Sequence, residues 1–417
     1  LGMGLSVLVI TTTYPRFEGD NFSPFVRSLC TKLASSFPVS VDIVASDDRR
    51  CDRDHDKEVD GVTVIRFNYW FKRYQRLAYG DAILSNLKHN RGLAIQAGTF
   101  ICRMFLASAI RIINLPPSLI HAHWTLPCGF IAVLLGMFFR IPVVVTTHGG
   151  DVYGITSGWG KRLLRWVFRR ANLVTAVSTS TAEEIRVICN DPAMDIQIQP
   201  MGVDGNKFYP KSVSKTEYGL DKSHRLILFV GRLSEVKGLH YLLQAMPLIL
   251  KERCDVVVWL VGTGNLEDEL KQQVETLDLQ ETVIFKGNVP NQQLPAYYAV
   301  ADLLVLPSIS AVGGREGLPV TIMEALLCHT RVVASDVGGI IDTAPSSLVS
   351  LVPPRDSEAL AREILRVIDL PVVPDGFEDR FNIETVAQNF FNMYETLCHD
   401  GTPQPKDMLN ENTAEPS

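Results

Sequence analysis

The sequence has no Cys-x-x-Cys pair and no histidine cluster beside a cysteine. Its eight cysteines stand apart at positions 30, 51, 102, 128, 189, 254, 328 and 398, a usage that fits a reducing compartment and argues against a structural zinc site. It also shows no secretory signal: Leu5 to Ile10 is a short strand-like run without a basic leader or a small-residue cleavage site. The absent initiator Met suggests a trimmed or tagged start. No segment reads as a membrane span. Phe130 to Thr147 is broken by Arg140 and Pro142, and Leu93 to Leu115 carries Arg103 and Arg111, so both are expected to form core helices, the first splitting into a helix and a strand. No recognised nucleic-acid-binding module appears, and a pI near 5.9 speaks against such a partner.

What the chain does have is length and an uneven charge. Its 417 residues, 46% of them hydrophobic, exceed one typical core and suit two α/β domains. The net charge of −6 hides an asymmetry: residues 1 to 205 hold 22 Lys and Arg against 17 Asp and Glu, whereas residues 206 to 417 hold 18 against 29. The amino-terminal half is therefore the face expected toward anything anionic. Within it, residues 66 to 111 carry eight basic side chains (Arg66, Lys72, Arg73, Arg76, Lys88, Arg91, Arg103, Arg111) against one acid, Asp81, interleaved with Phe67, Tyr69, Trp70, Phe71, Tyr74 and Tyr79. A second such stretch, residues 159 to 170, sets Lys161, Arg162, Arg165, Arg169 and Arg170 around Leu163, Leu164, Trp166 and Phe168. Basic and aromatic residues together suit an anionic membrane surface or a lipid-diphosphate acceptor. A surface helix packing one apolar face on its domain accounts for the second stretch equally well.

The chemistry gathers in two places. Arg315 to Ala325 reads REGLPVTIMEA, with Glu316 and Glu324 on either side of Gly317-Leu318-Pro319. A helix starting just after that turn leaves Glu316 on the loop at its mouth and Glu324 about two turns inside. It also offers the backbone N–H groups from Leu318 and Val320 onward to a phosphate. The apolar run LILFV, residues 226–230, leads into Gly231-Arg232-Leu233-Ser234-Glu235-Val236-Lys237-Gly238. An Arg and a Lys on a Gly-bounded loop give a diphosphate a planar fork and a point charge. Taken singly, such a Glu pair is usually a solvated helix face and such a loop is usually surface charge. Two carboxylates for sugar hydroxyls and two cations for a departing nucleoside diphosphate suggest one site.

The GRLSEVKG loop, the Glu pair of EGLPVTIME, the strand ending VLPS (Val305 to Ser308) and the THGGDV stretch occur in the order found in the retaining glycosyltransferases of family 4. The chain resembles that family from about Val7 to about Leu397. The resemblance implies the GT-B fold, an α/β architecture of two Rossmann-like domains facing each other across a cleft. An acceptor-side domain is expected over 1–205, a linker over 206–222, a nucleotide-sugar-binding domain over 223–382, and a helix over 383–399 crossing back to the first domain. Residues 400–417, rich in Pro, Asn and Glu, are expected to be disordered. The activity implied is transfer of a hexosyl group from a nucleotide sugar, with retention at the anomeric carbon. The acceptor would be a saccharide or lipid-linked saccharide in cell-surface polysaccharide or glycoconjugate biosynthesis. No cofactor and no metal is expected. A cytoplasmic enzyme is expected, peripheral on the inner face of the membrane where the basic and aromatic stretches meet it. Two other readings stay open: a nucleotide-sugar epimerase on the same scaffold, and a catalytically silent nucleotide-sugar-binding subunit.

The resemblance also distributes roles. Where the family has a glycine pair in the first loop, this chain has Gly19 followed by Asp20; Gly19 is either a close approach of backbone to donor phosphate or an ordinary turn glycine. Leu119 to His123 ends in His121-Ala122-His123-Trp124, and Pro142 to Thr147 runs into His148-Gly149-Gly150-Asp151, both at strand ends where ligands collect in open α/β sheets. His148 would face the donor sugar or the acceptor hydroxyl, with His123, Trp124 and Asp151 on the acceptor side. Gly231, Gly262, Asn288 and Val289 would supply backbone to the donor, and Arg232 and Lys237 would neutralise its diphosphate. Glu316 would hold a hexose hydroxyl beside Gly317, Leu318, Pro319 and Val320, and Glu324 would take the ribose hydroxyls. The Asp-x-Asp elements of Asp52-Arg53-Asp54-His55-Asp56 would suit a metal-dependent transferase, but they read as a solvated loop far from the phosphate loop.

Overall fold

The computed structural model describes residues 4–18, 20, 22–52, 56, 61–78, 83, 86–87, 90–310, 316–343, 346–373 and 376–399. Gly19, Asp54, Tyr79, Asp81, Lys88, Arg315 and the expected tail at 400–417 lie outside them.

Short runs of branched apolar residues build two parallel sheets. The first holds β1 (Leu5–Ile10), β2 (Val39–Ser46), β3 (Val62–Phe67), β4 (Leu119–His123), β5 (Val143–Thr147), β6 (Leu173–Ala176) and β7 (Gln197–Ile198), in the order β3-β2-β1-β4-β5-β6-β7. The second holds β8 (Arg225–Val230), β9 (Val256–Val261), β10 (Val283–Gly287), β11 (Leu303–Leu306), β12 (Arg331–Ser335) and β13 (Val349–Val352), in the order β10-β9-β8-β11-β12-β13. Strands as apolar as VVVWLV, buried along their whole length, need helices on both faces. Among the described residues, the first domain's include α1 (Pro24–Ser36), α2 (Ala94–Asn114), α3 (Phe130–Phe139), α4 (Gly150–Tyr153), α5 (Gly158–Arg170) and α6 (Thr179–Cys189). The second domain has α7 (Leu239–Glu252), α8 (Glu267–Thr276), α9 (Leu294–Val300), α10 (Val320–Leu327) and α11 (Ser357–Val367). Strand order reverses beside β1 in one sheet and beside β8 in the other, which puts a crevice at the carboxyl ends of each.

The last helix, α12 (Ile383–His399), packs on the first domain. Its Phe391 ring stacks on Phe37 at 4.6 Å, Glu384 pairs with Lys32 of α1 at 2.6 Å, and the Tyr394 hydroxyl meets His121 Nδ1 at 2.6 Å. One buried cluster therefore runs from β1 and α1 through α12 into the second sheet.

Two expectations need correcting. Residues 93 to 115 form a surface helix. Gln96, Phe100, Met104, Ser108 and Ile112 recur every fourth position and are buried, but Ile95, Leu106, Ile110 and Ile113 stand in solvent. Composition alone cannot say how many faces of an apolar helix are covered. The charged loop after β2 is not wholly solvated either, because Asp56 is buried and pairs with Arg66 at 2.6 Å. By contrast, α3 does bury Ile131, Ala132, Val133 and Leu135.

Since Phe390 is fully enclosed, Phe390→Ala should cost about 3–5 kcal/mol, read by chemical denaturation. A loss under about 1 kcal/mol, the scale of a surface substitution, would show that α12 does not hold the domains together.

Candidate active site

Both crevices open on the same seam. In the second domain, β8 delivers Gly231, whose N–H donates to Val261 O at 3.0 Å, and Gly262 N–H in turn donates to Gly287 O at 2.8 Å. Position 262 has φ +131, and a Cβ there would lie 1.8 Å from Gly231 O, so only glycine lets these strand ends meet. Asn288 and buried Val289 follow directly. The loop from Gly231 closes in one turn of 3-10 helix over Glu235–Lys237, which presents Lys237 to the crevice; Arg232 is exposed on the same loop.

Lys237 Nζ lies 2.7 Å from Glu316 Oε1, with both side chains largely enclosed, and Ser308 Oγ is 3.4 Å from the same carboxylate oxygen. Helix α10 then starts from Pro319, which offers no side-chain cap to its first N–H groups. A helix N-terminus presents donors to an anion, and Leu318 and Val320 flank it.

Glu324, inside α10, is buried. Its Oε2 accepts from Tyr298 Oη at 2.7 Å, Asn291 bonds the same carboxyl group, and Lys207 Nζ donates to Asn291 Oδ1. Burial pushes the Glu324 carboxyl up to about 7, against the opposing pull of Tyr298, Lys207 and Asn291. Burial lowers Lys207 as well, and Glu324 partly restores it. Tyr298, Asn291 and Lys207 were not picked out from the sequence. Lys207 falls in the expected linker over 206–222 and reads there as linker charge; only the fold brings it beside Glu324.

The first-domain half is made of rings. His148 is 5.1 Å from Phe25, 4.8 Å from Trp124 and 5.3 Å from His123, centroid to centroid, and its Nε2 is 3.1 Å from His123 Nδ1. His121 lies tilted against His123 at 4.3 Å and is held by Tyr394 and by Thr146 Oγ1. Enclosure pushes all three imidazoles below their usual range, His123 to about 3, so each is neutral near pH 7. Asp151, placed on the acceptor side by its motif, is fully engaged. Oδ2 accepts from Thr125 N and Oγ1 at 2.6 and 2.9 Å, and Oδ1 accepts from His148 N at 3.0 Å. It fixes the turn that carries His148. Trp124 reaches its place with φ +70, a costly backbone for a bulky residue.

The halves meet backbone to backbone. A Cβ on Gly317 would sit 2.4 Å from His148 O, one on Gly149 would sit 2.7 Å from Gly317 Cα, and one on Gly339 would sit 1.7 Å from Gly317 O. Asp342 Oδ2, accepting from Thr179 N at 2.6 Å, ties the same edge. His148, Lys237, Glu316 and the start of α10 are thereby gathered at one seam, with Glu324 within the same helix.

A model of the glycosyl transferases group 1 matches residues 211–385, and one of the glycosyl transferase 4-like domain matches residues 23–193. A putative teichuronic acid biosynthesis glycosyltransferase of Bacillus subtilis is 32% identical over 298 residues, 68% of this chain and 72% of that protein. The chain belongs to the group 1, family 4-like glycosyltransferases. This glycosyltransferase is also similar to the 2-deoxystreptamine glucosyltransferase of Streptomyces kanamyceticus, 29% identical over 66% of this chain and 74% of that protein. Among solved structures, sucrose-phosphate synthase of Thermosynechococcus elongatus superposes with a TM-score of 0.74 at 22% identity, covering 95% of this chain and all of that one. Anabaena HepE in complex with UDP and glucose gives 0.70 at 19% identity, covering 94% and 100%. These likenesses show the GT-B fold.

The Glu324 environment has a sign that can be checked. Its folded value, above the ordinary 4.5, means that it favours the native state below pH 4.5 and that this contribution is lost as pH rises through about 7. If Glu324 takes the ribose diol that its motif position implies, it does so in the ionised form. The affinity for an intact nucleotide sugar, whose phosphodiesters do not titrate near neutrality, should therefore rise about tenfold between about pH 6 and about pH 8. Calorimetric titration reads this, with Glu324→Gln expected to flatten the profile. A flat wild-type profile would remove Glu324 from ribose binding.

Proposed function

We propose that this glycosyltransferase moves a hexosyl group from a nucleotide sugar to a saccharide or lipid-linked acceptor, with retention at the anomeric carbon and without a metal. We place it on the cytoplasmic side of the membrane, in polysaccharide or glycoconjugate biosynthesis. The observation that carries this reading is the Lys237–Glu316 pair, 2.7 Å apart at the start of α10. One cation for a leaving diphosphate and one carboxylate for a sugar hydroxyl lie where a helix N-terminus adds further donors. The similarity to named polysaccharide and glucosyl transferases supports the substrate class.

In this reading the nucleotide lies on the second domain, with ribose on Glu324 and diphosphate against the 231–238 loop and α10. The hexose projects toward Glu316 and His148. As the anomeric C–O bond breaks, its electron pair leaves with the diphosphate, and Lys237 and Arg232 meet the growing charge. The acceptor oxygen bonds the anomeric carbon from the same face, and its proton passes to the departing diphosphate oxygen. His148 is a poor base for that proton because burial holds its pKa well below the usual imidazole range, so its hold on a proton is weak; it serves as a hydrogen-bond partner of a hydroxyl. Asp151 is unsuited to act as a glycosidase-type nucleophile, since both of its oxygens are held by Thr125 and His148. The group 1 fold would close on the donor and limit hydrolysis.

Lys237→Ala should lower kcat by about 10²- to 10³-fold with an unchanged melting temperature, measured with UDP-, GDP- and ADP-hexoses and a saccharide acceptor. Wild-type turnover in this variant would overturn the leaving-group role. Adding a chelator should leave transfer intact; a requirement for a divalent ion would overturn the metal-free part. Proton NMR of the transferred sugar should show the donor's anomeric configuration, and the inverted anomer would overturn retention.

A further inference from the structure

We infer that the outward face of α2, with the aromatic tip at Phe71 to Tyr74, docks the protein on an anionic lipid bilayer. The helix has an inward stripe, Gln96, Phe100, Met104, Ser108 and Ile112, buried against the first sheet. Opposite that stripe stand Ile95 at 68% exposure, Leu106 at 49%, Ile110 at 57% and Ile113 at 66%, with Arg103 the charged residue among them. Only 28% of its most apolar window is buried, although its composition would suit a membrane span. A solvated helix face carries charge instead. In the same domain α5 does so, with Leu164, Val167 and Phe168 buried and Arg165 and Arg169 donating to the last carbonyls of α6, Ile188 O and Cys189 O. That favours the structural reading of the 159–170 stretch and leaves α2 as the anomalous surface.

The surroundings identify the occupant. Arg103 Nε donates to Asn68 O at 3.0 Å and lines one depression with Tyr69, Trp70 and Phe71, which joins the tip to the middle of the helix. Phe71 is 73% exposed and is followed by exposed Lys72, Arg73 and Arg76. Residues 61–140 hold nine Lys and Arg against the single acid Asp81. Three of those cations are engaged by buried carboxylates: Arg66 by Asp56, Arg111 by Asp42 and Lys72 by Asp47. Arg73, Arg76, Arg103 and Arg140 remain on the surface. A second copy seated two-fold on this face would oppose these cations to themselves, whereas anionic headgroups neutralise them. The packed inward stripe prevents α2 from spanning, so it lies in the plane of the interface with its aliphatic face among the acyl chains. As the crossover from β3 to β4, the helix starts at the carboxyl edge of the sheet, the edge that carries His123 and His148. Docking therefore brings the acceptor side of the cleft toward lipid.

The test is flotation of the full chain with phosphatidylcholine vesicles, with and without phosphatidylglycerol, at low and high salt. Binding is expected to the anionic vesicles at low salt and to weaken with salt. Leu106→Glu/Ile110→Glu should lose about tenfold or more of the partition, with melting temperature and nucleotide-sugar binding unchanged, because both positions are already half exposed. Arg103→Glu should weaken binding to anionic vesicles and spare the small neutral component. Absence of wild-type binding at low salt, or equal binding by the double variant, overturns the proposal. So does a wild-type dimer, seen by light scattering, that the double variant dissolves while neither protein floats, an outcome that assigns the face to a second copy. None of these readouts measures transfer, so their failure leaves the hexosyl-transfer reading standing.

Discussion

The contact on which the site depends is one between backbones. At Gly317 the chain of the second domain passes close enough to His148 O and Gly149 that no side chain fits between them, and Gly339 is pressed against the other side of the same peptide. Packing of this closeness transmits position. The carboxylate at 316 and the imidazole at 148 are each one residue from the contact, so the seam sets their separation. Ion pairs between flexible side chains could not do this; a glycine-lined seam can, because it leaves few backbone torsions to adjust.

The second-domain half stores its charges as partners of one another. Lys237 is neutralised by Glu316, and Glu324 is held by Tyr298 and Asn291 with Lys207 beyond. In the reading proposed above, an arriving diphosphate would displace Glu316 from Lys237, and a ribose would share the Glu324 lone pairs that remain. Both exchanges replace one charge-assisted contact with another, so binding need not begin by burying an isolated ion. The raised carboxyl at 324 shows what isolation would cost: even with three polar neighbours, burial prevails.

The parts that could be read from the sequence were those whose chemistry is local. The 231–238 loop and the 316–324 pair each keep their glycines and charges within ten residues, so spacing alone placed them at strand ends and a helix mouth. Strand order, and the meeting of the two loops at 2.7 Å, needed the fold. Lys207, Asn291 and Tyr298 were missed because they reach Glu324 from separate stretches of chain, and nothing in the neighbourhood of each marks the encounter. The error over residues 93 to 115 has another cause. An apolar helix covered on one side and an apolar helix covered on all sides have the same composition, and only the neighbours distinguish them.

The two halves are built on opposite electrostatic plans. Around His148 the first domain offers Phe25, Trp124 and two further imidazoles, all kept neutral by enclosure; across the seam the second domain offers cations, carboxylates and a helix N-terminus. The reaction proposed above, which separates charge toward a departing diphosphate, would be served by that asymmetry. In the proposed reaction, negative charge would develop on the side of Lys237 and α10, while the sugar and the incoming hydroxyl would face the rings around His148. Were His148 protonated, it would draw the diphosphate's charge toward the wrong wall. Its packing against His123 opposes that, which in the proposed reading gives the histidines a purpose beyond packing: they would leave the growing charge to the leaving-group side.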